Sequence, residues 1–494
     1  MATTPPALIL DLPDEAATQR LAGDIAARLA PGDVIALSGG LGAGKTSFAR
    51  ALLRALAGIA DLEVPSPTFT LTQTYAVGGL TVTHADLYRV TDPAELDELG
   101  LAEAAEEGAV LVEWPEHAGS RLPEARLTIA LAIAGSGRVA EMTGAPAIVG
   151  RMARGLAARD VLDRAGFAGA RRCRLAGDAS ARIYERVVSG EASAILMDWP
   201  PGAQLAVNDP RRKFRARDVT TFIAVDAALH AAGLSAPEIL AADTERGFLV
   251  LEDFGDERVA VDGAPIDERY AVAIDALAAL HAAPRPQVLP LAAGAAHRLS
   301  LLSGEVLLAE LDLFADWYVP HVRGAPLAAD ARAELTLLWR SLDERLLRSE
   351  QSWVLFDVQS VNLLWLPARS GIARVGFIDF QDMFVGPSSY DVASLCFDAR
   401  VDVPAPLAAG LLDRYIAARR AVDASFATDS FRDAFAIAAA LRTMKNMGAF
   451  ARLAETGKPQ YLRHLERLSR YLSTALSRPV LSPLALWYER HLFS

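Results

Sequence analysis

The stretch Gly39-Gly40-Leu41-Gly42-Ala43-Gly44-Lys45-Thr46 matches the pattern G-x-x-x-x-G-K-[ST] at every defined position. Glycines at this spacing let backbone N–H groups approach phosphate oxygens, the lysine reaches the β- and γ-phosphates, and the threonine hydroxyl can ligate Mg²⁺. Residues 33–38 before it read as a short buried strand, and residues 47–57 after it have helical periodicity. The sequence therefore predicts an ATP-phosphate loop between a strand and a helix, with these contact residues: Gly39, Gly42, Ala43, Gly44, Lys45, Thr46 and Ser47.

The composition is that of a globular protein with more than one domain. The chain has 494 residues, of which 52% are hydrophobic and 22% charged, and its length favours two or three cores. Its apolar runs are too short to span a bilayer, and no basic segment followed by an apolar block begins it. The two cysteines, Cys173 and Cys396, form no metal-ligand spacing and no disulfide framework. We therefore expect a cytoplasmic protein that does not act at a membrane.

Charge is distributed unevenly along the chain. Residues 1–145 hold 19 acidic and 9 basic side chains, whereas the remainder holds 42 acidic and 40 basic ones. Direct, strong binding of nucleic acid by the first part is not expected, because nucleic-acid phosphates are neutralised by lysine and arginine. If this part serves RNA chemistry, we expect it to act through a protein partner.

The clearest domain boundary is Met142-Thr143-Gly144-Ala145-Pro146, a run of small residues and proline. Before it, short β segments alternate with helices, as in an α/β P-loop domain over residues 1–142. After a linker at 143–149, β patterns come first and long helical patterns follow, which indicates a two-lobed α+β domain over residues 150–494. Its lobes are predicted at about 150–255 and about 256–494.

Three further segments of the first domain are candidates for nucleotide chemistry. Residues 64–70 are rich in proline and hydroxyl groups, and residues 84–89 (His-Ala-Asp-Leu-Tyr-Arg) follow a strand pattern. Residues 109–116 read as an apolar strand ending in Glu113, where P-loop ATPases place the acid that holds Mg²⁺ or its water. A strand that merely ends in a solvated glutamate is the alternative, and the P-loop in the same domain favours the metal role.

Together with the P-loop, these segments resemble the TsaE family, the bacterial ATPase subunit of tRNA threonylcarbamoyladenosine biosynthesis. The resemblance covers about residues 8–142 and includes S-P-T-F-T, H-A-D-L-Y-R and V-E-W-P in the family's order. It implies slow ATP hydrolysis coupled to partner proteins of the TsaB/TsaD type, which modify adenosine 37 of tRNA.

Residue roles follow from that resemblance position by position. Lys45 would bind phosphate, and Thr46 and Glu113 would serve Mg²⁺. Thr68 and Asp86 lie in the family's functional segments, where Asp86 would polarise or sense the γ-phosphate. Trp114 would lie beside the nucleotide. Gly40 replaces the family's usual aspartate, which removes a loop charge but no phosphate-binding atom.

The second domain carries a kinase-like set of polar residues. Asp357 and Asn362 stand five apart, as in a kinase catalytic loop, and an apolar strand delivers Asp379 seventeen residues after Asn362. A β-hairpin fits that gap and would bring Asp379 beside Asn362 at a shared Mg²⁺ site, with Asp357 orienting the acceptor hydroxyl.

The order of segments over about residues 150–490 resembles the aminoglycoside-phosphotransferase-like kinases, and within them the anomeric N-acetylmuramate/N-acetylglucosamine kinases. It implies ATP-dependent phosphorylation of an amino sugar at C1 during cell-wall recycling. Residues 175–184 would cover the phosphates with Ser180 and Arg182, and residues 248–256 would form the adenine hinge with Glu252 and Phe254. Residues 386–391 and a late helix with Arg442 and Lys445 complete the resemblance.

Departures from the kinase pattern leave other functions open. Leu355-Phe356 stand where kinases place His-Arg, Gln359 and Val361 replace more polar residues, and Met197 lies near the position of the usual β3 lysine. The second domain is therefore an active sugar kinase, a kinase for another small hydroxyl substrate such as an aminoglycoside or choline, or a regulatory pseudokinase. A chain that acts chiefly as an adaptor gated by its P-loop is a further alternative.

Two weaker candidates lie in the same domain. Residues 310–318 carry carboxylates and aromatic rings at helical spacing and suit either sugar contacts or an amphipathic helix. His281 is expected to cap or pack a helix and not to act as a base.

Overall fold

The computed structural model describes residues 7–122, 126–175, 182–202, 216–282, 285–291 and 294–492. The chain divides into two compact units. The first unit comprises Met1–Pro201 and Ile239–Asp253, and the second comprises Gly202–Glu238 and Phe254–Ser494. The P-loop and the segment predicted as the early kinase strands therefore share one unit.

A seven-stranded mixed sheet forms the first half of the first unit. Its strands are β1 (Leu8–Leu12), β2 (Val34–Ser38), β3 (Thr72–Val77), β4 (Leu80–Asp86), β5 (Ala109–Glu113), β6 (Leu127–Ala134) and β7 (Gly137–Gly144). Their order is β1-β7-β6-β2-β5-β4-β3, with β2 parallel to β5 and β6, and β4 parallel to β5. Because β2 is buried on both faces, its sequence is a continuous apolar run without alternation.

Helices α1 (Glu15–Ala26), α2 (Lys45–Ala57) and α3 (Leu101–Glu107) accompany this sheet, with 3₁₀ turns at Pro93–Leu99 and Pro115–Ala118. Asp14 caps α1 by accepting a hydrogen bond from the Ala17 N–H at 2.7 Å. Helix α2 begins directly after Gly44 and ends at Gly58, which is left-handed as helix C-caps often are. Its apolar face places Phe48 and Leu52 in the core.

A five-stranded antiparallel sheet forms the second half of the first unit. Its strands are β8 (Arg171–Arg174), β9 (Ile183–Ser189), β10 (Ala192–Asp198), β11 (Ile239–Asp243) and β12 (Phe248–Glu252), in the order β11-β12-β10-β9-β8. Helices α4 (Pro146–Ala157) and α5 (Arg159–Arg164) precede it. Val161 and Leu162 of α5 pack in one core with apolar residues of β9, β10 and β12.

Buried ion pairs join the two halves of the first unit. Arg28, two residues after the end of α1, forms ion pairs with Glu185 of β9 at 2.7 Å and with Asp198 of β10 at 2.6 Å, and all three side chains are almost fully buried. Arg154 of α4 also bonds Asp198, at 2.7 Å. Arg172 of β8 bonds Glu185 and, in α1, Asp24, both at 2.6 Å. Removing one member of such a network would strand its partners as buried charges, so the two halves are electrostatically dependent on each other.

The second unit is mainly helical. Its helices are α6 (Val219–Ala231), α7 (Asp267–Ala282), α8 (Gly304–Leu313), α9 (Val319–Arg323), α10 (Ala329–Leu347), α11 (Ser389–Cys396), α12 (Ala405–Val422), α13 (Thr428–Glu455), α14 (Leu465–Leu476) and α15 (Ser482–Leu492). A π-helical segment, Phe314–Tyr318, joins α8 to α9. Among the described residues, none of these or the other helices has the length and apolar character needed to cross a bilayer.

In the described part of the second unit, four two-stranded sheets accompany the helices. Their strands are β13 (Ala260–Val261), β14 (Ala264–Pro265), β15 (Val288–Pro290), β16 (Ala296–Arg298), β17 (Gln351–Val354), β18 (Leu363–Trp365), β19 (Val375–Phe377) and β20 (Phe384–Pro387). The β17–β20 and β18–β19 pairs hold the segments in which the sequence predicts kinase chemistry.

Candidate functional sites

Backbone geometry explains why glycine occupies the ends of the P-loop. Gly39 has φ +136°, and a Cβ there would lie 2.3 Å from the Leu131 carbonyl oxygen. Gly44, with φ +106°, turns the chain into α2. Arg138 of β7 donates from Nε to the Ala43 carbonyl at 3.0 Å and from Nη2 to the Gly42 carbonyl at 3.2 Å. Arg138 thus holds the loop in place, although no motif in the sequence singles out this residue.

The Lys45 ammonium lies inside the loop. It donates to the carbonyl oxygens of Gly39 at 2.7 Å and Gly40 at 3.0 Å, and it stands 3.4 Å from the centre of the Trp114 ring. Burial lowers the pKa of Lys45 below its ordinary value, and nearby carboxylates, chiefly Glu113, offset only part of that shift. The charged form of a lysine in these surroundings would be stabilised by an approaching phosphate.

Glu113 lies at the end of β5, where it contacts Thr46 and His84 and lies opposite Asp86. Its Oε2 accepts a hydrogen bond from the Thr46 hydroxyl at 2.7 Å, and its Oε1 lies 2.9 Å from Nε2 of His84. Glu113 is 1% exposed, so it is not a solvated strand end. Parallel pairing of β4 with β5 sets Asp86 opposite Glu113. The structure therefore brings Thr46, Asp86 and Glu113 to one edge of the sheet.

Asp86 is held by the hydroxyl-rich segment. Its Oδ2 accepts from the hydroxyls of Ser66 at 2.6 Å and Thr68 at 2.7 Å, and its Oδ1 accepts from the Tyr88 N–H at 3.0 Å. Burial alone would raise the pKa of Asp86, but these hydrogen bonds and nearby His84 outweigh it and hold the pKa below its ordinary value. Asp86 is consequently a fixed anion that links residues 66–68 to the strand.

The donor set at this edge suits Mg²⁺ in the company of nucleotide phosphates. Within the described ranges, no group of three or more His, Cys, Asp or Glu side chains forms a complete metal cage. Mg²⁺ in nucleotide sites usually takes one or two protein oxygens and completes its shell with phosphates and water. The Thr46 hydroxyl and the Glu113 carboxylate, 2.7 Å apart, fit that requirement.

In the second unit, a hairpin joins the residues of the predicted catalytic loop. Leu363 of β18 pairs with Phe377 of β19, and the Ile378 N–H donates to the Asn362 carbonyl at 3.0 Å. The Asn362 amide donates to the Asp357 carbonyl at 2.9 Å. One small cleft is lined by Asp357, Asn362 and Asp379. The hairpin predicted between Asn362 and Asp379 is therefore present.

Leu355 and Phe356, which replace the usual His-Arg, are supported through their backbone. Both donate their N–H groups to the fully buried carboxylate of Asp391, at 2.7 and 3.0 Å. Arg442 donates to the Phe356 carbonyl at 2.8 Å, and the Phe356 ring stacks on Tyr390 with centroids 5.4 Å apart. The loop before Asp357 is therefore fixed without the missing pair.

Neighbouring polar and charged groups stabilise the charged form of Arg442, which contacts this loop. Burial would lower the pKa of Arg442, but Tyr390, Asp357 and Asp391 outweigh it and raise the pKa above its ordinary value. On the other side of the loop, the Ser360 N–H donates to buried Asp398 at 2.7 Å. Sequence reasoning assigned no role to Asp391 or Asp398, although Asp391 ends a segment that the kinase resemblance includes.

Four of the five non-glycine residues with positive φ in the described chain belong to these two sites. They are Leu71 and Trp114 in the first, and Phe356 and Asp379 in the second, while Asp262 lies elsewhere. Non-glycine residues adopt this conformation at a cost, and such strain concentrates at functional sites. The unusual backbone conformations thus lie in the same segments as the candidate functional side chains.

The structure places the other predicted nucleotide contacts in several settings. Arg182, just before β9, lies with its guanidinium 5.3 Å from the Trp199 ring centre. Glu252 ends β12, and the division between the units falls between Asp253 and Phe254. Ser180 lies outside the described residues, as do its neighbours at 176–181.

The weaker candidates have partners within the protein. Glu310 is buried and paired with Lys445, whose ammonium lies 4.3 Å from the Phe356 ring centre. Asp316 is exposed and paired with Arg332. His281 is buried, with Nδ1 2.8 Å from the Tyr415 hydroxyl, which agrees with a packed histidine.

Two family models match separate parts of the chain. Residues 12–139 match threonylcarbamoyl adenosine biosynthesis protein TsaE, and residues 172–424 match the phosphotransferase enzyme family.

Individual relatives match the same parts. The N-acetylmuramate/N-acetylglucosamine kinase of Caulobacter vibrioides is 37% identical over 350 residues, which are 66% of this chain and 93% of that protein. The kinase of the same name from Pseudomonas aeruginosa is 33% identical over 61% of this chain and 82% of its own length. The tRNA threonylcarbamoyladenosine biosynthesis protein TsaE of Rickettsia bellii is 41% identical over 23% of this chain and 77% of its own length. The chain therefore belongs to the TsaE family in its first part and to the phosphotransferase enzyme family in its second.

Proposed function

We propose that the chain is a bifunctional ATP-using enzyme. Its first activity is ATP hydrolysis in support of threonylcarbamoylation of tRNA adenosine 37. Its second is ATP-dependent phosphorylation of N-acetylmuramate or N-acetylglucosamine at C1, for reuse of cell-wall sugars. The proposed functional boundaries are residues 1–142, a linker at 143–149, and residues 150–494. Both reactions consume ATP, and the proposed location is the cytoplasm.

For the first activity, the carrying observation is the Thr46–Glu113 hydrogen bond next to Lys45 and Asp86. In the proposed roles, Lys45 binds the β- and γ-phosphates, and Thr46 and Glu113 hold Mg²⁺, which would neutralise phosphate charge. Asp86 fixes residues 66–68, and through them it senses the γ-phosphate. The partners are proteins of the TsaB/TsaD type, and the acidic excess of residues 1–145 favours action through a protein partner over direct tRNA binding.

For the second activity, the carrying observation is the single cleft lined by Asp357, Asn362 and Asp379. Asp357 orients the sugar hydroxyl and accepts its proton as the oxygen attacks the γ-phosphorus and the bond to ADP breaks. Asn362 and Asp379 hold Mg²⁺ in this proposal, since an amide and a carboxylate oxygen are ligands it accepts. The other assignments, Ser180, Arg182, Glu252 and Phe254 as nucleotide contacts, stay predictions.

The test is phosphate transfer from γ-labelled ATP by the Lys45→Ala chain, which silences the first site. N-acetylmuramate, N-acetylglucosamine, an aminoglycoside and choline are offered separately. Labelled N-acetyl sugar supports the proposal, and an alkali-stable, acid-labile product identifies C1. Label in the aminoglycoside or choline would replace the proposed substrate, and ATP binding without any labelled product would favour a pseudokinase.

The pseudokinase alternative has one specific observation in its favour, the replacement of His-Arg by Leu355-Phe356. The hydrogen bonds that Asp391 accepts from Leu355 and Phe356, and the one that Arg442 donates to Phe356, weaken the pseudokinase alternative, because they supply the support that the missing pair would give.

A further inference from the structure

A cleft of about 800 Å³ lies within the first unit, between helices α1 and α2 on one side and α5 and β8 on the other. We name it the seam cleft and define it by its six arginines: Arg20, Arg50, Arg54, Arg159, Arg171 and Arg172. Its volume is in the range of small-molecule sites. Of the residues predicted to contact ATP in the P-loop, only Ser47 lines it, and Thr46, Asp86 and Glu113 do not.

The seam cleft is basic in a part of the chain that is otherwise acidic. Its six arginines face only two lining carboxylates, Glu15 and Asp24, whereas residues 1–145 have an acidic excess overall. Asp24 is already engaged by Arg159 and Arg172, and Arg20 pairs with Asp163. Three arginines remain without a carboxylate in ion-pair range among the described residues: Arg50, Arg54 and Arg171.

Those three guanidinium groups are held in place by neutral acceptors. Arg50 donates from Nε to the Val64 carbonyl at 3.2 Å, and Arg54 donates from Nε to the Leu62 carbonyl at 3.0 Å. Both bonds use Nε, which leaves the terminal nitrogens for another partner. Arg171 donates to the Cys173 sulfur and lies over Gly58, where an added Cβ would come within 2.8 Å of its Nη1. Positioned arginine forks are well suited to phosphate oxygens.

The seam cleft combines two parts of the chain that belong to different families. Arg50 and Arg54 lie within the region matched by the TsaE family, and Arg172 begins the region matched by the phosphotransferase family. Helix α5 and Arg171 lie between the two matched regions. The cleft is therefore a property of the joined chain.

We propose that the seam cleft binds a small phosphate-bearing metabolite through Arg50, Arg54 and Arg171. The shared chemistry is a phosphate monoester or diphosphate. Its source is a nucleotide or a sugar phosphate, and the second source rests on the proposed kinase function. The cleft offers only three arginines that are not paired with a carboxylate among the described residues. So few cations favour a small anion over a long nucleic-acid backbone.

The experiment uses the full chain with Lys45→Ala and Asp379→Ala, so that ligand binding at the two proposed ATP sites is weakened. Isothermal titration measures binding of ADP, inorganic pyrophosphate and N-acetylglucosamine 1-phosphate. Comparison chains carry Arg54→Gln with Arg171→Gln, or Arg50→Gln alone. The matched control is Arg164→Gln, an exposed arginine of α5 that does not line the cleft.

Support would be binding of at least one probe that weakens by about tenfold or more in the cleft variants and stays unchanged in Arg164→Gln. The probe that binds identifies the source: ADP a nucleotide, the sugar phosphate a kinase product. Phosphorylation of the sugar is measured in parallel on chains with intact ATP sites, so that a failure of the kinase proposal is seen separately. The proposal is overturned if none of the three probes binds, or if the substitutions of the cleft arginines leave binding unchanged. It is also overturned if tRNA, titrated in the same way, is the only ligand whose binding depends on these arginines.

Discussion

The P-loop site and the Asp357 loop prepare for phosphate chemistry in different ways. In the first, side chains contact one another directly, as in the hydrogen bonds of Glu113 with Thr46 and of Asp86 with Ser66 and Thr68. In the second, buried carboxylates hold the backbone, as Asp391 holds Leu355 and Phe356. The first kind of site requires particular residues in its motif. The second tolerates motif changes, because backbone N–H groups are present whichever side chain is attached.

The largest expected effect tests whether the two sites are chemically independent. Asp357→Ala should lower sugar phosphorylation by roughly 10²–10⁴-fold, the range for loss of a general base. ATP hydrolysis by the P-loop should stay unchanged, because Asp357 belongs to the other unit. Lys45→Ala should produce the reverse pattern. Equal loss of both activities in either variant would show that the sites do not act separately, as would sugar phosphorylation unchanged by Asp357→Ala.

Arg28→Met should weaken both activities together, in contrast to the substitutions at the sites, because it destabilises the fold of the first unit. Removing one partner of a buried ion pair costs about 3–5 kcal/mol, and here Glu185 and Asp198 would both lose Arg28. We expect a lower midpoint in urea and faster loss of both activities on heating. Arg164→Gln, which removes an exposed arginine of the same unit, is the control. A midpoint equal to that of the unchanged chain would show that the network contributes no net stability.

Asp391→Asn sharpens the contrast because it alters only the second site. Hydrogen bonds to a charged group contribute about 1.5–3 kcal/mol, and the amide would weaken those from Leu355 and Phe356. We expect kcat for sugar phosphorylation to fall by about tenfold, with KM for the sugar little changed and ATP hydrolysis unaffected. Rescue by Asp391→Glu, even if incomplete, would point to the carboxylate. A change confined to KM would instead place Asp391 in sugar binding.

The smallest expected effect concerns a buried carboxylate outside either site. Both oxygens of Asp343 lack hydrogen-bond partners among the described residues, and burial raises the pKa of Asp343 from 3.8 to about 7. A raised pKa in the folded state means that stability is lost as pH rises from about 4 through 7. Asp343→Asn should therefore raise Tm increasingly up to about pH 7, by a few degrees, and by a constant amount above it. Thermal melts between pH 4 and pH 8 measure this. An increment that falls with rising pH would contradict it.

Local sequence predicted the features that depend on short spacing. The P-loop, the strand ending in Glu113, the hairpin between Asn362 and Asp379 and both families follow from residues near each other in the chain. Features that depend on distant pairing did not follow. Arg28 meets Asp198 across 170 positions, and Arg138 meets Ala43 across 95. No periodicity in the sequence identifies such partners, because arginines are common and only folding selects among carboxylates and carbonyls.

The buried pairs of Arg28 also bear on how the two activities are supplied in the cell. A chain cut at residue 142 would leave Arg28 on one fragment and its partners Glu185 and Asp198 on the other, each with a buried charge to solvate. Neither fragment would then be expected to persist alone against proteolysis. The two activities would be made and degraded together, in a fixed one-to-one ratio, however demand for each of them changes.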